Sequence, residues 1–115
     1  MKVQMLHNPR CSKSRTTLQL LRENGVEPEI ILYLETPPDT DLLISILRKL
    51  DLKPRELMRT GQPEYKEMGL DDMQLSDEQL IAAMLKAPIL IERPIVLANG
   101  QARIGRPPES VLKIL

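Results

Sequence analysis

The chain has 115 residues and a mass of 13.1 kDa, a size that suits one domain with a single hydrophobic core. Hydrophobic residues make up 42% of the chain and charged residues 28%, a composition typical of folded globular proteins and not of disordered chains. Sixteen basic side chains balance sixteen acidic ones, and the only aromatic residues are two tyrosines. Without a basic excess or stacking surfaces, the chain is not expected to bind nucleic acid.

One cysteine and one histidine are too few for a disulfide framework or a four-ligand zinc site, so we expect no metal and no bound cofactor. Polar residues come too early for a secretory signal, and no run of about 18 apolar residues predicts a membrane helix. We therefore expect a cytoplasmic protein without a membrane partner. A lone thiol in that reducing compartment stays a thiol unless it has a chemical role.

The first third of the chain predicts a βαβ unit. Residues 2–7 predict a short strand that ends at an Asn-Pro turn signal. A helix is expected from Ser12 or Ser14 to Asn24, where an Asn-Gly pair is a typical helix stop. The β-branched apolar run at 29–33 predicts the second strand of the unit.

The middle of the chain predicts helices. After the break at 36–39, apolar residues recur at helical spacing and predict a helix; they are Leu42, Leu43, Ile46, Leu47 and Leu50. Residues 53–75 contain Pro and Gly among polar residues, which favours short helical turns and loops. A capping-box motif at 76–79 predicts a further helix that stops before Pro88.

The last part of the chain predicts a β-hairpin and a final helix. Asn99-Gly100 supplies both positive-φ positions of a type I′ turn between strands within 95–104. Arg93-Pro94 is a candidate cis peptide that turns the chain back beside the cysteine. A pair of prolines opens the last helix at 108–115.

The order of these elements predicts an α/β fold with a thioredoxin-like mixed sheet. Two halves, βαβ and ββα, contribute the strands. We expect one domain over 1–115, with a helical insertion at about 37–90 that depends on the sheet for its packing.

Cys11 is the candidate nucleophile. It lies between the first strand and the first helix, where helix N–H groups and the helix dipole favour an anion. Arg10, Lys13 and Arg15 surround it in sequence and His7 lies four residues upstream, so we expect a thiol pKa below about 8.5. Free cysteines are often small buried hydrophobic residues, but the polar neighbours of Cys11 favour a reactive thiolate.

The spacing around Cys11 separates several thiolate chemistries. Cysteine phosphatases require Cys-x5-Arg, whereas the sixth residue after Cys11 is Thr17. Thioredoxins and disulfide isomerases require Cys-x-x-Cys, whereas Ser14 takes the second position, so a resolving thiol has to come from another molecule. A cysteine protease needs an orienting His, for which His7 is the single candidate, and a strand-end histidine is an equally good interpretation.

Three arginines add an anion-binding signal. Arg59, Arg93 and Arg106 are far apart in sequence, and each lies at a predicted loop or element end. Arg93 directly precedes Pro94, and Arg106 directly precedes the final helix. Any one of them alone is typical of a solvated surface charge, but together they indicate an oxyanion site.

Four ordered motifs carry a resemblance to a known family. They are HNPRCSKSR at 7–15, YLETPP at 33–38, PILIERPIV at 88–96 and GRP at 105–107. Together they resemble the glutaredoxin-coupled arsenate reductase family over essentially the whole chain. The resemblance implies a thioredoxin-like fold with a helical insertion.

The resemblance also implies roles for particular residues. Cys11 would attack arsenate, and the expected oxyanion ligands are Arg59, Arg93 and Arg106. The expected supporting groups around the thiol are His7, Ser14 and Arg15. Glutathione would then attack the arsenic as co-substrate, glutaredoxin would take the glutathione as a mixed disulfide, and arsenite would leave.

Two alternatives remain open from the sequence. The same fold serves Spx-type regulators that bind RNA polymerase and usually carry Cys-x-x-Cys; Ser14 and the three arginines favour the enzyme. The second alternative is a reductase that acts on another oxyanion or on a mixed disulfide.

Overall fold

In the computed structural model, which describes residues 2–115, the strands form one mixed sheet in the order β2-β1-β3-β4. The strands are β1 (Val3–Leu6), β2 (Glu29–Ile31), β3 (Ile95–Ala98) and β4 (Gln101–Ile104). β1 pairs in parallel with β2 and antiparallel with β3, which in turn pairs antiparallel with β4. The predicted thioredoxin-like mixed sheet is confirmed.

The helices follow the predicted order. The α-helices are α1 (Ser12–Glu23), α2 (Thr40–Leu50), α3 (Pro54–Leu57), α4 (Pro63–Glu67) and α5 (Asp77–Lys86). Two 3₁₀ helices span Pro88–Leu90 and Pro108–Ile114. The short helices α3 and α4 confirm the prediction of helical turns within 53–75.

Local capping explains where these helices begin and end. The Ser76 hydroxyl accepts the Gln79 N–H at 3.2 Å, and the Gln79 side chain accepts the Ser76 N–H at 2.8 Å. This reciprocal pair satisfies backbone donors at the start of α5 and confirms the predicted capping box. At the end of α1, Gly25 has φ +77° and the next N–H bonds back to the Leu21 carbonyl, which closes the helix.

Both predicted strands of the βαβ unit are shorter than expected. β1 stops at Leu6, although the His7 N–H still bonds the Ile31 carbonyl at 2.9 Å. β2 stops at Ile31 because the chain then turns, with the Thr36 N–H bonded to the Leu32 carbonyl. The apolar residues Leu32 and Tyr33 continue past the end of β2, so the apolar pattern could not place that end.

The last helix is a 3₁₀ helix over Pro108–Ile114 and not the 108–115 helix expected from the sequence. Its buried residues, Pro108, Val111 and Ile114, are spaced three apart. A 3₁₀ helix has three residues per turn, so this spacing places all three side chains on one face. Burial of that face therefore favours the tighter helix.

The chain divides into two compact units, one formed by the residues up to Thr36 with Arg93–Leu115 and the other by Pro37–Glu92. The first contains the whole sheet, α1 and the last 3₁₀ helix; the second contains α2 to α5. One domain with an insertion that depends on the sheet stays a prediction.

The core of the first unit lies on one face of the sheet. Val3 pairs with Ala98 and Met5 with Val96, so these four side chains point to the same side. The buried helical side chains of this core are Leu21, Val111 and Ile114. The core therefore anchors α1 and the last 3₁₀ helix to β1 and β3.

In the second unit, Arg55 ties α3 to the loop that follows α4. Its Nη1 donates to the Tyr65 hydroxyl and to the Leu70 carbonyl at 2.6 Å, and its Nη2 donates to the Asp72 carbonyl at 3.0 Å. The guanidinium also lies 6.0 Å from the centroid of the Tyr65 ring. These contacts order a segment whose sequence has little periodicity of its own.

None of the helices within residues 2–115 has the length and apolar character needed to cross a membrane.

Gly105 is expected to be intolerant of any side chain. A Cβ there would lie 2.5 Å from the Thr17 hydroxyl and 2.7 Å from Cγ of Pro94. We expect Gly105→Ala to lower the free energy of unfolding by about 1–3 kcal/mol through overpacking, as measured by chemical denaturation. Gly61→Ala is the matched control, because a Cβ at Gly61 meets nothing within 4 Å. Equal stability of the two variants would contradict this packing.

Candidate active site

Cys11 is the N-cap residue of α1, in the loop that follows β1. Its N–H donates to the Asn8 carbonyl at 3.0 Å, and its carbonyl accepts the Arg15 N–H at 3.0 Å. The side chain is 9% exposed. The sulfur is therefore held at a helix start, where the first backbone N–H groups have no partner within the helix.

The surroundings of the sulfur favour its ionised form. Burial alone raises the pKa of the Cys11 thiol, whereas the Ser14 N–H and the positive charge of Arg93 lower it. The Lys13 N–H and the charge of Arg106 lower it further. The net result is a pKa below the usual thiol value, which agrees with the direction expected from the sequence.

Arg106 links the thiol to the loop before β3. Its Nη2 donates to the Cys11 sulfur at 3.8 Å, while its Nε donates to the Arg93 carbonyl at 2.9 Å. The Arg93–Pro94 peptide is cis, as predicted, and so is Arg106–Pro107, which the sequence analysis did not predict. One guanidinium thus contacts the sulfur and fixes a second arginine's backbone.

The sheet brings these groups to one edge. Leu6 at the end of β1 pairs with Ile95 at the start of β3, and Ile95 pairs with Ile104 at the end of β4. The segments that carry Cys11, Arg93 and Arg106 therefore leave the sheet at the same edge. Antiparallel strand pairing, and not proximity in sequence, therefore brings Cys11, Arg93 and Arg106 together.

His7 and Ser14 form a buried pair beneath the loop. The His7 Nδ1 and the Ser14 hydroxyl lie 2.6 Å apart, and the same hydroxyl accepts the Asn8 N–H at 3.0 Å. His7 is 6% exposed and Ser14 is fully buried. These bonds join the end of β1 to the first turn of α1, so both residues position the loop around the thiol.

His7 does not supply positive charge. Burial lowers its pKa, and the nearby charges of Arg22 and Arg15 lower it further. The imidazole is therefore neutral at neutral pH. The sequence alone does not determine the charge of His7, because it does not show that this side chain is buried.

Two further residues shape the loop. Arg15 is exposed, and its Nη1 donates to the Pro9 carbonyl at 2.9 Å. Asn8, which the sequence analysis did not single out, accepts the Arg10 N–H on its side-chain oxygen at 3.0 Å and the Cys11 N–H on its carbonyl. An Asn before Pro is a common turn residue, and that signal could have identified it.

Arg59 belongs to the second compact unit. Its N–H donates to the Leu90 carbonyl at 2.7 Å, and its Nε lies 4.0 Å from Oε1 of Glu92. The side-chain amide of Gln62, oriented with its oxygen toward the guanidinium, accepts from Arg59 at 2.8 and 3.0 Å. These contacts hold Arg59 beside the strand-like bridge between Met58 and Ile91.

Of the predicted site residues, those brought together in the first unit are His7, Cys11, Ser14, Arg15, Arg93 and Arg106. Within residues 2–115 no three His, Cys, Asp or Glu side chains form a group able to hold a metal ion. The first unit therefore offers a thiolate next to two guanidinium groups, an arrangement suited to nucleophilic attack on a bound anion.

Loss of either arginine is expected to raise the pKa of Cys11. Arg93→Gln and Arg106→Gln each remove a charge that lowers this pKa, so the pH profile of thiol alkylation should move to higher pH. Arg103→Gln is the control, because Arg103 is an exposed residue of β4. An unchanged profile in both site variants would contradict the assigned electrostatics.

Burial of neutral His7 predicts a loss of stability in acid. Because its folded pKa lies below 6.5, the unfolded chain binds a proton first as the pH falls. Its contribution to the unfolding free energy is therefore complete above pH 6.5 and is lost as the pH falls through the folded pKa. His7→Gln should show a shallower decline in unfolding free energy between pH 7.5 and 5.5; an equally steep decline would argue against this.

Comparisons with known proteins identify the family of this chain. The ArsC family model matches residues 6–114. The protein YfgD of Escherichia coli strain K12, which has no described function, is 60% identical over 98% of this chain and 96% of its own length. An arsenate reductase of Neisseria meningitidis serogroup B is 48% identical over 98% of this chain and 97% of its own.

A solved structure shows the same fold. The arsenate reductase from Vibrio cholerae superposes with a TM-score of 0.97 at 54% identity, covering 100% of this chain and 98% of that one. The family match extends over nearly all of the sequence and includes the Cys11 loop, Arg93 and Arg106. The chain belongs to the ArsC family.

Proposed function

We propose that this protein reduces arsenate to arsenite through an adduct on Cys11, with electrons supplied by glutathione and glutaredoxin. The observation that carries the proposal is the Cys11 sulfur at the start of α1, 3.8 Å from the Arg106 guanidinium and with a lowered pKa. Relatives named arsenate reductase support the choice of oxyanion.

In the first step, the Cys11 thiolate attacks the arsenic of arsenate. A sulfur–arsenic bond forms, and one arsenate oxygen leaves as water after protonation, so arsenic keeps its oxidation state. Arg93 and Arg106 would bind the remaining oxygens. Guanidinium groups suit this role because they donate bidentately and stay charged throughout the reaction.

Reduction then requires two thiols from outside the chain, because Cys11 is its only cysteine. Glutathione attacks the arsenic of the adduct, and a second oxygen leaves as water. A glutaredoxin thiolate then attacks the glutathione sulfur; the sulfur–sulfur bond forms while the electron pair of the glutathione–arsenic bond stays on arsenic. Water cleaves the Cys11–arsenic bond, which releases arsenite and restores the thiolate.

The remaining site residues are assigned as positioning groups. Ser14 bonds His7 and the Asn8 N–H, and Arg15 bonds the Pro9 carbonyl. We assign these contacts the role of holding the loop so that the thiolate faces the arginines. A cycle that consumes glutathione suits a reducing compartment, so we place the reaction in the cytoplasm.

Arsenate-dependent oxidation of NADPH, coupled through glutathione reductase, glutathione and glutaredoxin, tests the proposal. Cys11→Ser should have no detectable turnover. Arg106→Gln should lower kcat/KM for arsenate by about 100-fold through loss of charge stabilisation, whereas Arg103→Gln should match the wild type. Omission of either glutathione or glutaredoxin should stop the reaction.

Three results would contradict the proposal. Turnover retained in Cys11→Ser would exclude the adduct on that residue. Turnover without glutathione or glutaredoxin would exclude the proposed electron donors. No turnover in the wild type, with Cys11 reduced and open to alkylation, would exclude arsenate as the substrate.

A further inference from the structure

A crevice lies beside the Cys11 loop, on the side of β1 away from Arg93 and Arg106. β1 and β2 are parallel and end together, with Leu6 paired to Ile31. The loops that follow them line an open space of about 310 Å³. Its wall includes Pro9 and Arg10 from the first loop and, from the second, Leu32, Leu34 and Glu35.

The crevice combines apolar walls with opposite charges. Leu32 is 37% exposed and Leu34 is 38% exposed, two of the four large hydrophobic side chains exposed within residues 2–115. Tyr33 between them is buried, so the turn holds both leucines outward. Arg10 and Glu35 are exposed and carry opposite charges. Apolar surface of this kind, with charged groups beside it, is typical of small-ligand sites.

The sheet order places the thiol between the crevice and the arginines. β1 lies between β2 and β3; the crevice follows β1 and β2, whereas Arg93 precedes β3 and Arg106 follows β4. Neighbouring strands are about 4.8 Å apart, so two strand spacings span about 10 Å. An extended tripeptide has about this length, and Arg10, which lines the crevice, directly precedes Cys11 in the chain, so a tripeptide in the crevice can reach the sulfur of Cys11.

We propose that this crevice binds glutathione, an inference that rests on the proposed function. Glutathione carries two carboxylates and one ammonium group, separated by short apolar stretches. Arg10 would pair with a carboxylate and Glu35 with the ammonium group, while Leu32 and Leu34 would pack against the methylene groups. Bound in this way, glutathione presents its thiolate to the arsenic on Cys11 from the side opposite Arg93 and Arg106. The oxygen that it displaces from arsenic leaves as water.

A binding experiment tests the location directly. S-methylglutathione, which cannot attack arsenic, is titrated into the Cys11→Ser protein and followed by amide NMR shifts. The largest shifts are expected at His7, Asn8, Arg10 and residues 32–35. Shifts concentrated at Arg93, Gly105 and Arg106, or no saturable shifts, would overturn the crevice as the glutathione site.

Kinetics of the full enzyme give a second test. Leu34→Ser should raise KM for glutathione about fivefold through lost apolar contact, and Glu35→Gln about threefold through a lost exposed ion pair. KM for arsenate should not change. Met68→Ser is the matched control, because Met68 is 37% exposed and belongs to the second unit. An unchanged KM for glutathione in Leu34→Ser would overturn the proposal.

The two proposals fail in different ways. If the wild type does not turn over arsenate, the proposed function fails, and the titration still decides whether the crevice binds glutathione. If the wild type turns over and the shifts lie elsewhere, the crevice fails alone.

Discussion

The candidate site depends on one negative charge, that of the Cys11 sulfur, held at the start of a helix. Burial opposes this charge, and the N–H groups of Ser14 and Lys13 with the charges of Arg93 and Arg106 outweigh the opposition. Neither the backbone N–H groups nor the arginine charges act at long range in a solvated site. The thiolate therefore requires that α1 begin at Ser12 and that both arginines be held within reach.

The sheet and the buried loop meet this requirement together. Strand pairing brings the start of β3 and the end of β4 to the edge where β1 ends. Below the loop, the Ser14 hydroxyl connects His7 and Asn8 to α1. His7 is neutral, so its contribution is to packing and hydrogen bonding and not to charge. In the proposed function, this lone cysteine is a nucleophile whose resolving thiols come from other molecules.

The sequence was sufficient where a residue's role depends on near neighbours. The capping residues Ser76 and Gln79 and the positive-φ turn at Asn99 act locally. Features that depend on tertiary packing were left open or missed. The charge of His7, which the sequence left open, depends on its burial, and the last helix is 3₁₀ because three residues spaced three apart are buried. The crevice depends on the register between β1 and β2, which no single segment encodes.

Arsenic K-edge X-ray absorption on the reduced protein mixed with arsenate reports the atoms bonded to arsenic and so tests directly whether Cys11 forms the adduct. We expect a sulfur neighbour of arsenic in the wild type and only oxygen neighbours in Cys11→Ser. Only oxygen neighbours in the wild type, with its thiol intact and reactive, would contradict the claim that Cys11 attacks arsenate.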